Sequence, residues 1–301
     1  MSRDDAIRRE PLDADRVRRD PAATAELALL LEVAGTPKPG NVDRHRDAAD
    51  LHLEQFLAGA VGAREGLRMA AAGEPVGEAF ETAVAGMSHQ RGGNTQFGCL
   101  LLLVPLVAAT TADRRVTRER VREVCRATTV ADAAGFYRAF EHVDVAVADP
   151  PDGMEPLDVR RGADAVATLV ERDLTLWELL CDSAEHDDNA REWAEGFPRT
   201  FRAAERIVDD DGPVTDRAAR AFLDLLAESP DTLVATQHGA DVADEVSDRA
   251  GEVAEQVAET ESLEPAEAWA DELVEQGINP GTTADITAAA LYVALCRGVS
   301  P

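Results

Sequence analysis

Apolar residues recur at every third or fourth position along most of the chain, the spacing that places them on one face of an α-helix. The segment that begins at Leu53 shows this pattern at Phe56, Leu57 and Ala60. The same spacing predicts helices over residues 22–33, 53–67, 76–87, 117–127, 131–140, 163–170, 176–181, 189–207, 215–226, 240–257, 265–276 and 284–296. Strict alternation of apolar and polar residues is confined to residues 143–149, just before a Pro-Pro-Asp-Gly turn, and we predict a loop there.

The longest apolar run covers residues 99–109, which is too short to span a bilayer and predicts a buried helix. Aromatic residues make up only 4% of the chain and alanine is abundant, a composition that suits close packing between helices. No segment repeats at a fixed period, so we predict an all-α globular multi-helix bundle rather than a solenoid. A chain of 301 residues, 45% of them hydrophobic, can bury a large core. We expect a charged N-terminal arm over residues 1–20 and a single all-α domain over residues 21–301.

The chain carries 58 Asp and Glu residues against 30 Lys and Arg residues, which gives a net charge of −28. A chain so rich in apolar residues is expected to fold, so the charge predicts an acidic surface and a protein adapted to a salt-rich cytoplasm. Nucleic acid and anionic membranes are excluded as partners, because both require a positively charged surface. The N-terminal residues lack the apolar segment of a signal peptide, and the four cysteines form no Cys-x-x-Cys pair. Both observations favour a soluble protein of the reducing cytoplasm.

Candidate chemistry lies at the junctions between predicted helices, since helix N-termini direct unpaired N–H groups toward bound anions. Four junctions are distinctive, and they read TPKPGNVDR (36–44), HQRGGNTQFG (89–98), SAEHDDNAREW (183–193) and NPGTTADIT (279–287). The chain contains no His-Glu-x-x-His zinc motif, no Walker A loop and no Gly-x-Ser-x-Gly elbow. These absences argue against a histidine-built metal site and against the common nucleotide and hydrolase motifs.

The first junction contains Lys38, the single lysine of a chain whose other 29 basic residues are arginine. Pro37 and Pro39 stiffen the segment, and Gly40 permits a turn after it. An ordinary helix-to-helix loop would explain the prolines and the glycine but not the lysine. Because an ammonium group is a compact charge with three donors, we interpret Lys38 as a phosphate ligand.

The other junctions each have a structural alternative. Gly92 and Gly93 permit a close approach to an anion, whereas the Asn-Thr pair that follows can simply cap a helix. Thr282 and Asp285 have the spacing of a capping box. The two acids at 187 and 188 are typical of a helix start, where the dipole favours negative charge. These alternatives stay open at the level of sequence.

Taken in order, the junctions resemble the motifs of the triphosphoribosyl-dephospho-CoA synthase family. Residues 32–44 resemble its Pro-Lys-Pro-Gly motif, residues 92–98 its Asn-Thr motif, residues 136–140 a helix that follows, and residues 279–291 its C-terminal Pro-Gly motif. The resemblance covers roughly residues 26–295. It implies a reaction that joins ATP to 3′-dephospho-CoA with the release of adenine.

The resemblance places Lys38, Asn94, Thr95 and Asp285 at the family's signature positions. Two departures separate this chain from the bacterial enzymes of the family. Gln96 occupies a position where those enzymes usually carry histidine, and residues 45–56 lack their Gly-Ala-His sequence. Residues 187–193 and 232–247 resemble the archaeal branch of the family rather than the citrate-lyase branch.

The implied displacement at the ribose C1′ of ATP develops oxocarbenium character and needs a nearby carboxylate and a base for the attacking hydroxyl. We expect this role to fall to Asp43, Asp50 or Asp285. The expected phosphate-binding residues are Lys38, Gly40, Asn41, Arg44, Gly92, Gly93, Asn94, Thr95, Gly281, Thr282 and Thr283. Mg²⁺ is expected to accompany ATP, with Asp187 and Asp188 as its ligands. The alternatives are a related transferase or hydrolase for another nucleotide or a pterin, and a non-catalytic helical binding module.

Overall fold

The computed structural model describes residues 20–48, 50–113, 115–150 and 153–301, and the predicted all-α class is confirmed for them. The α-helices are Pro21–Ala34 (α1), Leu53–Gly62 (α2), Arg64–Ala72 (α3), Val76–Met87 (α4), Phe97–Ala108 (α5), Arg118–Arg126 (α6), Val130–Ala139 (α7), Val166–Arg172 (α8), Leu176–Ser183 (α9), Asp188–Glu195 (α10), Pro198–Asp209 (α11), Val214–Glu228 (α12), Thr232–His238 (α13), Ala240–Thr260 (α14), Glu264–Gln276 (α15) and Gly281–Cys296 (α16). Two short 3₁₀ helices cover Glu155–Leu157 and Val159–Ala165. The predicted charged arm lies outside the described residues, except for Asp20, which caps α1.

Two predicted helices are wrong because each is divided in the structure. The predicted helix over residues 53–67 is interrupted at Ala63, between α2 and α3. The predicted helix over residues 189–207 is interrupted between α10 and α11, where Phe197 adopts left-handed backbone angles and Pro198 begins the new helix. Proline favours the first turn of a helix but cannot continue one, so Pro198 was the signal in the sequence for this break. Helix α13 was not predicted, whereas the loop over residues 143–149 is confirmed.

The centre of the main core is the pairing of α5 with α16. Both helices are apolar on nearly all sides, and side chains such as Leu100, Leu102, Ala289 and Leu291 are fully buried. A helix that is hydrophobic all round must be enclosed by other helices, and α1, α3, α4 and α11 provide this cover. The predicted buried helix at residues 99–109 is therefore confirmed.

A second apolar cluster lies among α12, α13, α14 and α15, with Phe222, Val246 and Trp269 in its interior. The first turn of α16 belongs to this cluster through Ala284, and the rest of α16 belongs to the main core from Ile286 onward. The start of α16 therefore lies where the two clusters meet. Boundaries of this kind are common positions for ligand sites.

None of the helices in the part of the chain that the structure describes combines the length and the apolar character needed to cross a bilayer. This agrees with the prediction that the apolar run at residues 99–109 belongs to the core.

We expect the thermal stability of this protein to rise with salt. Repulsion within a chain of net charge −28 opposes the compact state, and molar salt reduces the Debye length to about 3 Å. Melting curves recorded from low to molar KCl should show a rise of roughly ten degrees or more. A series in sucrose, which stabilises folded proteins without screening charge, provides the comparison. A flat curve in KCl would contradict the adaptation to salt.

Candidate active site

The segment between α1 and α2 begins with nine buried residues, 35–43, which is unusual for a loop because its backbone groups must find partners inside the protein. Asp43 supplies several of these partners. Its carboxylate accepts hydrogen bonds from Thr36 Oγ1 at 2.8 Å, from the Lys38 amide at 3.3 Å and from the His45 amide at 2.8 Å. Asp43 is 1% exposed and its oxygens are already used to hold the loop in shape.

Arg46 fixes this loop to α15. Its guanidinium donates to Asp43 Oδ2 at 3.2 Å and also pairs with Glu267 and Asp271 of α15. Glu267 and Asp271 are more than two hundred positions from Arg46 in the chain, so no local spacing could indicate these two contacts. The loop therefore depends on the packing of the C-terminal helices for its position.

The first and last junctions are in direct contact. Gly40 has a φ of 79°, and a Cβ at this position would overlap the carbonyl oxygen of Ile278. Asn41 donates a side-chain hydrogen bond to the carbonyl of Pro280 at 3.2 Å. The glycine is thus required both by its left-handed conformation and by the close approach of the two loops. The segments around Lys38 and Asp285 form one unit of the structure.

The ammonium of Lys38 is paired with Glu32 from the last turn of α1, and the two side chains are 1% and 3% exposed. Burial raises the pKa of Glu32, although the positive charge of Lys38 acts in the opposite direction. A buried ion pair carries a desolvation cost that only good pairing offsets. Lys38 is therefore not a solvated loop residue, because it lies inside the protein with a dedicated counter-ion.

Asp285 projects from the first turn of α16 to a point where two other helices supply its partners. Asn189 Nδ2, on α10, donates to its Oδ2 at 2.9 Å, and the Cys99 thiol, on α5, donates to its Oδ1 at 3.1 Å. Gly98 makes room for the carboxylate, since a Cβ there would overlap Asp285 Oδ2. Asp285 as a whole residue is half-buried rather than fully enclosed.

The environment of Asp285 favours its protonated form. Burial raises the pKa of Asp285 to about 7, and the nearby carboxylates of Asp231 and Glu32 act in the same direction. The hydrogen bonds from Asn189 and Cys99 lower it in part. A carboxyl group that titrates near neutral pH can either accept or donate a proton there, and such groups are concentrated at functional sites.

The capping alternative for Asp285 is wrong. The N-cap residue of α16 is Pro280, which has no side-chain acceptor, so Thr282 and Asp285 do not form a capping box. The amide and hydroxyl of Thr283 instead donate to Asp231 Oδ2, both at 2.7 Å. Asp231 also caps α13, and its burial raises its pKa.

The capping alternative is confirmed for Asp187, which is the N-cap of α10 and accepts from the Ala190 amide at 3.0 Å. Asp188 is buried and pairs with Arg191 and Arg199. Two guanidinium groups beside one carboxylate disfavour a cation, so this acidic pair does not fit a Mg²⁺ site. Across the described ranges, no group of three or more His, Cys, Asp or Glu side chains is arranged to hold a metal ion.

The second junction combines capping with an ordered glycine loop. Asn94 Oδ1 accepts from the Phe97 amide at 3.1 Å at the start of α5, so its capping role is confirmed. Gln90 orders the two glycines, since its amide oxygen accepts from the Gly92 amide and its Nε2 donates to the Gly93 carbonyl. The junction leads into the first turn of α5, whose residues Gly98 and Cys99 contact Asp285.

The sequence profile of the ATP:dephospho-CoA triphosphoribosyl transferase family matches residues 18–300 of this chain. The chain belongs to this family. A similar solved structure is the crystal structure of an Archaeoglobus fulgidus protein named as a triphosphoribosyl-dephospho-CoA synthase. It is 25% identical over 81% of this chain and 99% of its own, with a TM-score of 0.66. No curated protein sequence matches significantly.

Membership in this family confirms the predicted resemblance and identifies the chain as a transferase. Residues of the second and third junctions contact Asp285 of the fourth, and the first junction packs against the fourth through Gly40 and Asn41, but not every predicted residue takes part. Arg44 and Asp50 are exposed on the segment that precedes α2. The contacts found among the described residues do not link either of them to the Asp285 cluster.

Sequence reasoning missed five residues of this cluster, which are Glu32, Gly98, Cys99, Asn189 and Asp231. One signal was available for Glu32, which is a single charge within the apolar run LALLLEV of α1. A charge on such a face is rarely buried unless it has a partner. No comparable signal existed for the others, because their roles arise from contacts between helices that are distant in the chain.

Proposed function

We propose that this transferase moves the triphosphoribosyl group of ATP to 3′-dephospho-CoA at the site formed by α5, α10 and α16, and that Asp285 is its principal catalytic residue. The observation that carries the assignment is the carboxyl group of Asp285, held by Asn189 and Cys99 where two apolar clusters meet, with a pKa raised to about 7. Asp43 is a weaker candidate, because its oxygens already hold the buried loop.

In the proposed step, a ribose hydroxyl of dephospho-CoA attacks C1′ of ATP. A C–O bond forms, the bond from C1′ to the adenine nitrogen breaks, and adenine leaves with the electron pair. The ionised Asp285 stabilises the oxocarbenium-like transition state with its negative charge and accepts the proton of the attacking hydroxyl as the C–O bond forms. Water supplies the proton that the departing adenine takes up, and Asp285 returns its own proton to solvent. A pKa near the working pH suits a carboxylate that must both accept a proton and stabilise positive charge. A large fraction of the carboxyl groups is then ionised, and each is still basic enough to accept the proton.

The triphosphate is proposed to bind on the side of the site formed by Lys38. This lysine lies in a loop that is packed against the start of α16, and its ammonium is paired with the carboxylate of Glu32. Phosphate oxygens can take the place of that carboxylate, and the raised pKa of Glu32 makes it easy for the released group to accept a proton. Helix N-termini near the site add further attraction for anions.

Mg²⁺ enters this proposal as part of the ATP substrate. The ion commonly retains waters and phosphate oxygens with one or two carboxylates, and it does not require a cage built by the protein. Because Asp188 is occupied by arginines, we assign no step to a metal held by the predicted pair. A cytoplasmic location follows from the two proposed substrates, which are both cytoplasmic nucleotides.

Release of adenine from ATP, measured in molar KCl with and without dephospho-CoA, tests the proposal. Adenine should appear only with the acceptor and in equal amount to the coupled product. CoA is the matched comparison, because it differs from the acceptor by one 3′-phosphate. Release without an acceptor would indicate a hydrolase. No release under any condition would indicate another substrate or a non-catalytic binding module.

A further inference from the structure

The N-terminus of α5 contains buried polar atoms that have no partner among the described residues. Both ends of the Gln96 amide, Oε1 and Nε2, are unpaired although the residue is only 1% exposed, and the hydroxyl of Thr95 beside it is unpaired as well. A buried polar group without a partner destabilises the folded state, because it has lost its hydrogen bonds to water. A protein rarely retains two at adjacent positions unless a ligand or bound water completes them.

Space for these side chains is provided by Gly59 of α2. A Cβ at this glycine would lie 2.7 Å from Thr95 Oγ1 and 3.1 Å from Gln96 Oε1, which is closer than ordinary packing allows. The same turn of α5 contributes Gly98 and Cys99 to the Asp285 carboxylate. Gln96, with its unpaired amide, therefore lies directly before the turn of α5 that contacts Asp285, the proposed catalytic residue.

Another glutamine of the same junction shows that the fold can satisfy such an amide. Gln90 uses both ends of its side chain, accepting from the Gly92 amide and donating to the Gly93 carbonyl. A glutamine that serves only the loop is thus fully hydrogen-bonded six positions away. Gln96 differs because its amide is buried and neither its donor nor its acceptor is used by a group in the described part of the chain.

We propose that Gln96 recognises the adenine ring of ATP, with Oε1 accepting from the exocyclic amine and Nε2 donating to N7. A glutamine amide matches this edge of adenine in a bidentate arrangement. This inference rests on the proposed function, in which adenine is the leaving group. The hydrogen bond to N7 draws electron density from the ring as the bond to C1′ breaks, and the amide itself transfers no proton. Gln96 then sets the base specificity and assists departure.

The test compares ATP with inosine triphosphate, which has a carbonyl oxygen in place of the exocyclic amine and an unchanged N7. Gln96→Met preserves the length of the side chain and removes both hydrogen-bonding ends. The kcat/KM of the parent should be higher for ATP than for inosine triphosphate. In Gln96→Met the ratio of these two values should fall at least tenfold, mainly because kcat/KM for ATP decreases. Gln90→Leu is the matched control, and it should keep the parent's ratio of the two nucleotides.

Direct binding separates the failure of this inference from the failure of the proposed function. The affinities of ATP and inosine triphosphate are measured by calorimetric titration of each variant, with thermal melts to confirm that it is folded. If the parent releases no adenine, the proposed function fails, but a Gln96-dependent preference in binding still supports the inference. If the folded Gln96→Met protein keeps the parent's preference for ATP over inosine triphosphate, the role of Gln96 in adenine recognition is overturned. Buried water would then be the partner of the amide. Should Gln96→Met not fold, Gln96→Leu, which also removes both hydrogen-bonding ends, takes its place with the same expected loss.

Discussion

Replacing Asp285 by asparagine should reduce the rate of adenine release by on the order of a hundredfold or more while the protein stays folded. The substitution preserves the size of the side chain and removes both its negative charge and its capacity to accept a proton. Since α16 takes no capping hydrogen bond from Asp285, the change removes no helix cap. Adenine release under saturating ATP and acceptor measures the loss.

The pH dependence of stability provides a second measurement on the same variant. The pKa of Asp285 is raised to about 7 in the folded protein, so the folded state retains a proton that the unfolded state loses from about pH 4 upward. The parent therefore loses stability as the pH rises from about 4 to about 7, because the unfolded state can ionise Asp285 more easily than the folded state. Because asparagine does not ionise, the melting temperature of Asp285→Asn relative to the parent should be higher at pH 8 than at pH 5.

Asp248→Asn is the control for this experiment, because it makes the same chemical change at an exposed position of α14. It should leave both the rate and the pH dependence of melting close to those of the parent. A fully active Asp285→Asn enzyme would show that another carboxylate accepts the proton. Asp43, which lies in the loop packed against the start of α16, would then be the next residue to replace.

Replacing Lys38 by arginine should weaken ATP binding at least tenfold, or about 1.4 kcal/mol, although the positive charge is kept. The guanidinium is larger and planar, and its donors cannot occupy the position of a compact ammonium among phosphate oxygens. The sequence alone predicts that the fold and melting temperature are unaffected. Because Lys38 is only 1% exposed, we now expect some destabilisation from overpacking, typically about 1–3 kcal/mol. Calorimetric titration with ATP in molar salt, well below the melting temperature, measures the binding change.

Glu32→Gln separates a lost phosphate contact from a disturbed loop. This variant keeps the ammonium of Lys38 but removes the charge that competes with phosphate for it. Its affinity for ATP should equal or exceed that of the parent if Lys38 binds the triphosphate. Equal ATP affinity in Lys38→Arg and the parent would contradict the role of Lys38. Weakened binding in Glu32→Gln would indicate that the ion pair only supports the loop.

Most of the local structure could be predicted from the sequence alone. Helical periodicity located most of the helices, and the apolar run at residues 99–109 identified the buried helix α5. The motifs around Lys38 and Asp285 indicated the family and the chemistry, since both depend on residue types at short and fixed spacing. The errors lay where backbone conformation changes within a few residues, as at Phe197, because periodicity averages over longer windows.

Only the tertiary structure decided which side chains meet. Asp285 is held by Asn189 and Cys99, which are 96 and 186 positions away in the chain. The carboxylate fits there because Gly98 has no side chain, and its pKa is raised first by burial and then by the nearby charges of Asp231 and Glu32. Lys38, too, could be identified from its rarity, but its burial against Glu32 could not. Periodicity and spacing act over a few turns of one helix, whereas hydrogen bonding, burial and pKa depend on how α1, α5, α10 and α16 pack, and that packing is a property of the whole fold.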